Sequence, residues 1–418
     1  MKNLEHGLNM EMTKYKLGDI AKTGSGGTPK STVAEYYENG TIPWINSGEL
    51  NHPFISSTEN FITQAGYDNS SAKLFPPQTV LLAMYGATAG KASLLEIEAC
   101  TNQAVCAIMP DEKVLSPLYL KYKLDTMYNY LVGISTGSAR DNLSQEGIRS
   151  LELNIHSLAE QKKIAAVLSA LDDKIALNKK MNQKLEAMAK RLYDYWFVQF
   201  DFPDENGRPY KTSGGPMTHN PTLNREIPVG WEVDVVGNVC ETVLGGTPST
   251  ENESFWNGNI PWLNSGEVAE FPILNAEKRI TEDAVKNSAT AYLPAGSVTL
   301  SITRHLRPSI MAIDACINQS VAGIKENDIL KNGYLYPYLV NEIPRLNTLR
   351  GGAQQPHINK DTVDKSPIVI PAQNVLHQYY EKVNPLYKEI IEKAKESQKL
   401  TALRDKLLPL LMNDQVEV

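Results

Sequence analysis

Two stretches of this chain place their core-type residues at alternating steps of four and three, and the remainder does not. In the first, Ile164, Leu168, Leu171, Ile175, Asn178, Asn182, Leu185, Ala189, Leu192 and Trp196 hold this spacing. In the second, after Pro371, Tyr379, Val383, Leu386, Ile390, Lys393, Ser397, Leu400, Arg404, Leu407 and Leu411 do the same. Two positions in seven form the narrow seam of a coiled coil, not the broader stripe of an ordinary surface helix. Each helix is expected to run for about 40 residues, or roughly 60 Å at about 1.5 Å per residue. Both seams turn polar near their middles, at Asn178 and Asn182 in one and at Lys393 and Ser397 in the other. An antiparallel pair would bring middle to middle and gather these four into one layer. Polar groups there cost stability and set register.

Ahead of each helix the pattern is different. Short β-type runs such as Thr79-Val80-Leu81-Leu82-Ala83-Met84 and Ala104-Val105-Cys106-Ala107-Ile108 stand between Gly, Pro and Ser turns. Their counterparts further on are Ser297-Val298-Thr299-Leu300-Ser301-Ile302 and Ser320-Val321-Ala322-Gly323-Ile324. The chain therefore contains a repeat. Ile42-Pro43-Trp44-Ile45-Asn46-Ser47-Gly48-Glu49 returns as Ile260-Pro261-Trp262-Leu263-Asn264-Ser265-Gly266-Glu267. Gly26-Gly27-Thr28-Pro29 returns as Gly245-Gly246-Thr247-Pro248, Asn102-Gln103 as Asn318-Gln319, and Gly137-Ser138-Ala139 as Gly351-Gly352-Ala353. A period above 200 residues is a duplicated domain, not a solenoid unit. The expected fold is α+β: two repeated globular domains with two long helices forming an antiparallel coiled coil. The boundaries read as a globular domain at 13–156, a helix at 157–200, a connector at 201–230, a second globular domain at 231–371 and a helix at 372–412. The connector is polar and rich in Pro and Gly, so it is expected to run over the surface and bury little apolar area.

Composition narrows the class. A hydrophobic content of 42% with 21% charged residues describes a soluble globular protein. No apolar run approaches the roughly 20 residues a membrane span needs, and the first dozen residues carry charges without an apolar core, so a cytoplasmic location is expected. The four cysteines, Cys100, Cys106, Cys240 and Cys316, form no CxxC pair and read as small core residues. The histidines make no HExxH or HxxxH pair, so no metal site is expected. Tyr85-Gly86-Ala87-Thr88-Ala89-Gly90-Lys91-Ala92 imitates a phosphate-binding loop, but its glycines are one residue too close and Ala92 replaces the magnesium-binding hydroxyl. The other copy has Thr303-Arg304-His305-Leu306-Arg307 there. No catalytic constellation emerges; the chain reads as a binder with no cofactor of its own.

These segments resemble the DNA-specificity subunit of Type I restriction–modification enzymes. The resemblance runs through both copies of Gly-Gly-Thr-Pro and Ile-Pro-Trp-(Ile/Leu)-Asn-Ser-Gly-Glu. It takes in Leu158-Ala159-Glu160-Gln161-Lys162-Lys163-Ile164 at the start of the first helix and Leu192-Tyr193-Asp194-Tyr195-Trp196-Phe197 at its close. The connector Phe202-Pro203 to Gly207-Arg208-Pro209-Tyr210-Lys211-Thr212-Ser213-Gly214-Gly215 and the ending Leu407-Leu408-Pro409-Leu410-Leu411 complete it. It implies a non-catalytic subunit whose two target-recognition domains each read one half of a bipartite, asymmetric site in double-stranded DNA. It further implies two methyltransferase subunits and motor-nuclease restriction subunits as partners, with S-adenosylmethionine, ATP and magnesium bound on those partners. A coiled-coil scaffold with two globular ligand- or protein-binding domains is the alternative, and a recognition module detached from a fused restriction–methylation enzyme is a third reading.

Charge refines the expectation. Residues 158–197 carry eight Lys/Arg against five Asp/Glu, and residues 372–411 carry seven against five, so the globular parts are more acidic than the chain's net −7. Few phosphate contacts are then available, and DNA binding by the chain alone is expected to be weak and salt-sensitive. Base reading needs Arg, Lys, Asn, Gln, Ser or Thr at the groove edge, in loops where the copies disagree. In the first copy the candidates are Thr28, Lys30, Ser31, Lys91, Ser138, Arg140 and Asn142. In the second they are Thr247, Ser249, Thr250, Arg304, His305, Arg307, Gln354, Gln355 and His357. Arg304 and Arg307 lead, because a guanidinium bonds bidentately to guanine. Trp44 and Trp262 read as core.

Overall fold

In a computed structural model of the chain, which describes residues 12–136, 143–352 and 356–417, the heptad-patterned stretches are helices at Leu158–Tyr193 and Gln373–Met412. The first opens on Ser157, whose hydroxyl accepts from the Glu160 amide at 3.4 Å. Gln161, fully buried, then ties the helix to the domain that precedes it. Its amide nitrogen donates to Val114 O at 3.0 Å and His156 O at 2.9 Å, and its Oε1 accepts from the Ser116 amide at 2.9 Å. The helix closes in a π-helical turn, Asp194–Val198, that buries Trp196 and Phe197.

The chain folds as two compact units that divide between Lys174 and Ile175 and between Lys399 and Leu400. Each unit holds one globular copy and a stretch of both helices. In the first, a five-stranded sheet runs in the order Ala21–Ser25, Val105–Pro110, Val80–Ala83, Ala92–Leu95, Phe54–Ile55. A four-stranded sheet runs Phe61–Ile62, Ile42–Ile45, Ala99–Thr101, Leu74–Phe75. The second unit repeats the first four strands of the larger sheet with Thr242–Leu244, Val321–Ile324, Val298–Ser301, Arg307–Ile310, and the whole of the smaller with Lys278–Ile280, Ile260–Leu263, Ala315–Ile317, Ala291–Leu293. The central strands Val80–Ala83 and Val298–Ser301 are buried along their whole length, which explains their unbroken β-type runs. Each copy is closed by a ribbon of its first and last strands: Thr13–Lys16 pairs with Glu152–Ile155, and Glu232–Val235 with Pro367–Ile370. The class is α+β, duplicated.

Both helices enter the core of each unit. In the first, Ile164, Leu168, Leu411 and Met412 pack with Leu17, Val80 and Tyr119. In the second, Trp196, Phe197, Tyr379, Val383 and Ile390 pack with Tyr334, and the Phe197 ring meets Tyr379 and Tyr334 edge-on at 4.8 and 4.9 Å. A fully buried Val383 or Ile390 contributes about 1.5–3 kcal/mol. Within the second unit, Asn178 donates to Glu396 Oε2 at 3.0 Å and Asn182 to Ile390 O at 3.1 Å, so one helix rises as the other falls. Within the first, Arg404 Nη1 meets Asp172 Oδ1 at 2.7 Å, and Tyr122 donates to the other oxygen at 2.6 Å. The pairing is antiparallel in each unit.

All the seam positions, from Leu168, Leu171, Ile175, Leu185 to Val383, Leu386 and Leu400, are buried or half-buried. The polar layer is composed differently from the expected quartet. Glu396, not a seam residue, bridges Asn178 and Lys393, while Ser397 turns back to the Lys393 carbonyl of its own helix at 2.9 Å. The connector also departs from expectation. Met217–Asn220 and Arg225–Pro228 form a hairpin, and Phe202 and Ile227 are buried. The Phe202 ring stacks on Trp231 at 5.0 Å, so composition hid an aromatic face.

Candidate nucleic-acid interface

The segments common to both copies converge on one arrangement. Gly26 lies so close to the next strand that a Cβ would sit 1.9 Å from Thr101 O; at Gly245 it would sit 2.0 Å from Ile317 O. The indole N–H of Trp44 donates to Gly27 O at 3.0 Å, and that of Trp262 to Gly246 O at 3.2 Å. Asn46 accepts from the Gly48 amide at 2.8 Å while its own amide donates to Glu49 at 3.1 Å; Asn264, Gly266 and Glu267 repeat this at 2.7 and 2.9 Å. The Asn102 and Asn318 amides donate to Ile45 O and Leu263 O, each at 3.0 Å. Each of these contacts satisfies backbone or packs the segment. The repeated segment is scaffold.

The copies part company at the tip of one hairpin. In the first, Val80–Ala83 turns into Ala92–Leu95 through residues 84–91; in the second, Val298–Ser301 turns into Arg307–Ile310 through residues 302–306. Gly86 and Gly90 hold positive φ (89° and 80°) in the longer tip, which explains the false phosphate-loop spacing. Its Thr88 hydroxyl donates to Ser47 O at 2.7 Å, and Lys91 Nζ to Asn51 Oδ1 at 2.5 Å, so Lys91 is partly engaged. In the shorter tip Leu306 is buried and anchors the turn, while Arg304, His305 and Arg307 are exposed. Arg304 adopts φ +56°, a conformation unusual for a residue with a Cβ.

A second segment lies beside the shorter tip. His357 bridges to Thr303 and exchanges both backbone hydrogen bonds with Gly351, at 3.0 and 2.9 Å. Arg350 fastens the two segments: its Nη2 donates to Arg304 O and, at 2.8 Å, to Pro356 O. Arg304, His305, Arg307 and His357 thus share one surface of the second unit. Sequence reasoning missed Arg350, which precedes the shared Gly351-Gly352-Ala353 and donates to two backbone carbonyls and to the Asn347 side chain.

The remaining candidates scatter. Thr28, Lys30 and Ser31, and Thr247, Ser249 and Thr250, are exposed on the Gly-Gly-Thr-Pro loops. Thr28 donates to Gln103 Oε1 at 2.6 Å and Thr247 to Gln319 Oε1, glutamines that went unremarked as candidates, and the Ser249 carbonyl accepts from Trp256 at 3.0 Å. Ser138, Arg140, Asn142, Gln354 and Gln355 lie outside the described residues. All four cysteines are free and buried; burial pushes the Cys106 thiol up to about 12 and those of Cys100, Cys240 and Cys316 to about 11. Thiols so held are poor nucleophiles. Among the described residues no group of three His, Cys, Asp or Glu is arranged to hold a metal, and no helix is long and apolar enough to cross a membrane.

Fold and surface together define a duplicated α+β protein in which one scaffold carries two different sets of polar loops. A family model described as the Type I restriction modification DNA specificity domain matches residues 9–187 and 228–402, and the chain belongs to that family. It is 29% identical over 415 residues to the Type I restriction enzyme MjaIX specificity subunit of Methanocaldococcus jannaschii, covering 96% of this chain and 93% of that protein. It is 22% identical over 366 residues to the HindI specificity subunit of Haemophilus influenzae, covering 74% of this chain and 79% of that one. The fold is similar to the crystal structure of a Type I restriction-modification S subunit from M. genitalium, with a TM-score of 0.61 at 14% identity over 98% of each chain.

Proposed function

We propose that this chain is the DNA-specificity subunit of a Type I restriction–modification complex: a non-catalytic protein whose two domains each read one part of a bipartite, asymmetric site. The recognition domains are assigned to residues 13–156 and 231–371, joined through the helices at 157–200 and 372–412 and the connector at 201–230. The helices dock two methyltransferase subunits, and motor-nuclease subunits complete the assembly; S-adenosylmethionine, ATP and magnesium act on those partners.

One observation carries this reading. The same hairpin, on the same scaffold, ends in a long tip with Lys91 in one copy and a short tip with Arg304, His305 and Arg307 in the other. Identical scaffolds with unlike donor sets suit two unlike half-sites. Arg304 and Arg307 are assigned to base edges, with His305 and His357 beside them; Gln354 and Gln355 are assigned the same part from the sequence alone. In the first copy Lys91 and the segment from Ser138 to Asn142, including Arg140, take that part. The acidic balance outside the helices leaves much of the affinity to the partners.

Methylome sequencing of a host expressing this chain with a methyltransferase subunit tests the proposal. A new split adenine-methylation motif, unlike in its two halves, is expected. Co-purification with that subunit but no such motif would overturn the reading and favour a scaffold role.

A further inference from the structure

Most of what the copies share has an internal reason, because it is buried or supports backbone. The Thr28–Gln103 and Thr247–Gln319 bonds do not: all four residues are exposed. A hydrogen bond between neutral exposed side chains adds little to stability. Yet both copies keep it across sequence separations of 75 and 72, while the next residues diverge from Lys30-Ser31 to Ser249-Thr250. Its location is also the same. The Met84 amide, where the first tip begins, donates to Ala104 O at 2.8 Å, one residue after Gln103. The Ile302 amide, where the second tip begins, donates to Ser320 O at 3.0 Å, one residue after Gln319. The pair stands at the foot of the variable loop in each domain.

The chemistry of the pair selects its ligand. The threonine proton occupies the glutamine carbonyl, and the amide nitrogen meets no protein acceptor among the described residues. What remains is a fixed, neutral pair of N–H donors facing solvent. A base-edge reader would differ between two half-sites that differ. A phosphodiester oxygen only accepts, and it is the same on every sequence. We infer that Thr28–Gln103 and Thr247–Gln319 are sequence-independent contacts to DNA phosphate, one in each domain, that set the register of the variable tip beside them. This rests on the chain being a DNA reader.

The test uses the full chain purified with its methyltransferase subunit and a mixed-sequence duplex, followed by fluorescence anisotropy. In Gln103→Glu and Gln319→Glu the carboxylate still accepts the threonine proton, so the bond and fold persist while the donors become a negative charge. Each is expected to weaken binding about tenfold, by the same factor on the mixed-sequence duplex and on the methylated motif. Gln103→Ala and Gln319→Ala should weaken it less, with an unchanged Tm. Unaltered binding overturns the assignment, as does a loss confined to the specific motif, which would mark a base reader. A lowered Tm of the alanine variants with intact DNA binding makes the pair a structural bracket. Should the wild-type complex bind no duplex at all, the DNA-reading role itself fails, an outcome separate from these.

Discussion

The Gly-Gly-Thr-Pro loops and the hairpin tips sit side by side in each domain and answer to opposite constraints. In the loops, Gly26 and Gly245 press against neighbouring carbonyls, and the buried or half-buried Trp44 and Trp262 tie them down through their indole N–H groups. A side chain at Gly26 or Gly245 would have to displace backbone. In the tips, residues 84–91 and 302–306 differ in length and charge while the strands beneath them keep the same order. A fold that localises its rigidity in this way can exchange recognition chemistry without rebuilding its core. The largest effect is therefore expected in the loops. Gly26→Ala or Gly245→Ala should destabilise its unit by about 3 kcal/mol, since the obstructing atom is backbone and cannot step aside. Denaturant unfolding measures it; a loss below about 1 kcal/mol would erase the distinction between loop and tip.

The tips should behave the other way. Arg304→Ala and Arg307→Ala should leave unfolding within about 0.5 kcal/mol of the parent, because both residues are exposed. Discrimination should fall by about 2 kcal/mol at one half-site and not at the other. Competition binding with single-base variants of the methylated motif measures this, and equal losses in both halves would contradict base reading by this tip. Arg350→Met sharpens the comparison. It removes the donors that hold Arg304 O and Pro356 O together, so the same half-site should lose about 1 kcal/mol of discrimination although Arg350 itself is assigned no base. If Arg350→Met changes both half-sites alike, the latch does not act through the tip.

Much of the scaffold was legible because it rests on periodic or repeated signals. The seam spacing located both helices, and their polar middles marked where Asn178 and Lys393 gather. Glu396 and Asp172 escaped notice because each stands one position off the seam, where heptad counting expects a solvated charge. Gln161 escaped as well: a polar residue near a helix start looks exposed until Val114 and Ser116, some 45 residues away, supply its partners. The connector misled through composition, since its Pro and Gly concealed Phe202 stacking on Trp231. At the site, disagreement between the copies located the tips. It could not locate Arg350, which latches the two segments through main-chain carbonyls, or Gln103 and Gln319, whose sameness argued for scaffold.

The smallest effect separates the domain body from its hairpin tips by pH. His156 ends the ribbon that closes the first domain and is only 4% exposed. Its Nδ1 lies 2.7 Å from the Tyr119 hydroxyl, and its Nε2 lies 3.9 Å from Asp414. Burial lowers its pKa below 6.5 and Lys123 pushes the same way, while Asp414 and Glu160 pull upward without reversing the shift. The folded chain therefore holds this imidazole neutral where the unfolded chain already protonates it. With more protons bound in the unfolded state, stability rises with pH across that window. The contribution is complete above about pH 6.5 and is lost as pH falls from there through the depressed folded value. Urea unfolding of the first domain between pH 8 and 5 should show this slope, and His156→Gln should flatten it while lowering the midpoint at pH 8. The Arg304→Ala chain should keep the full slope, because no tip residue takes part. A slope that survives His156→Gln would place the acid sensitivity elsewhere in the domain.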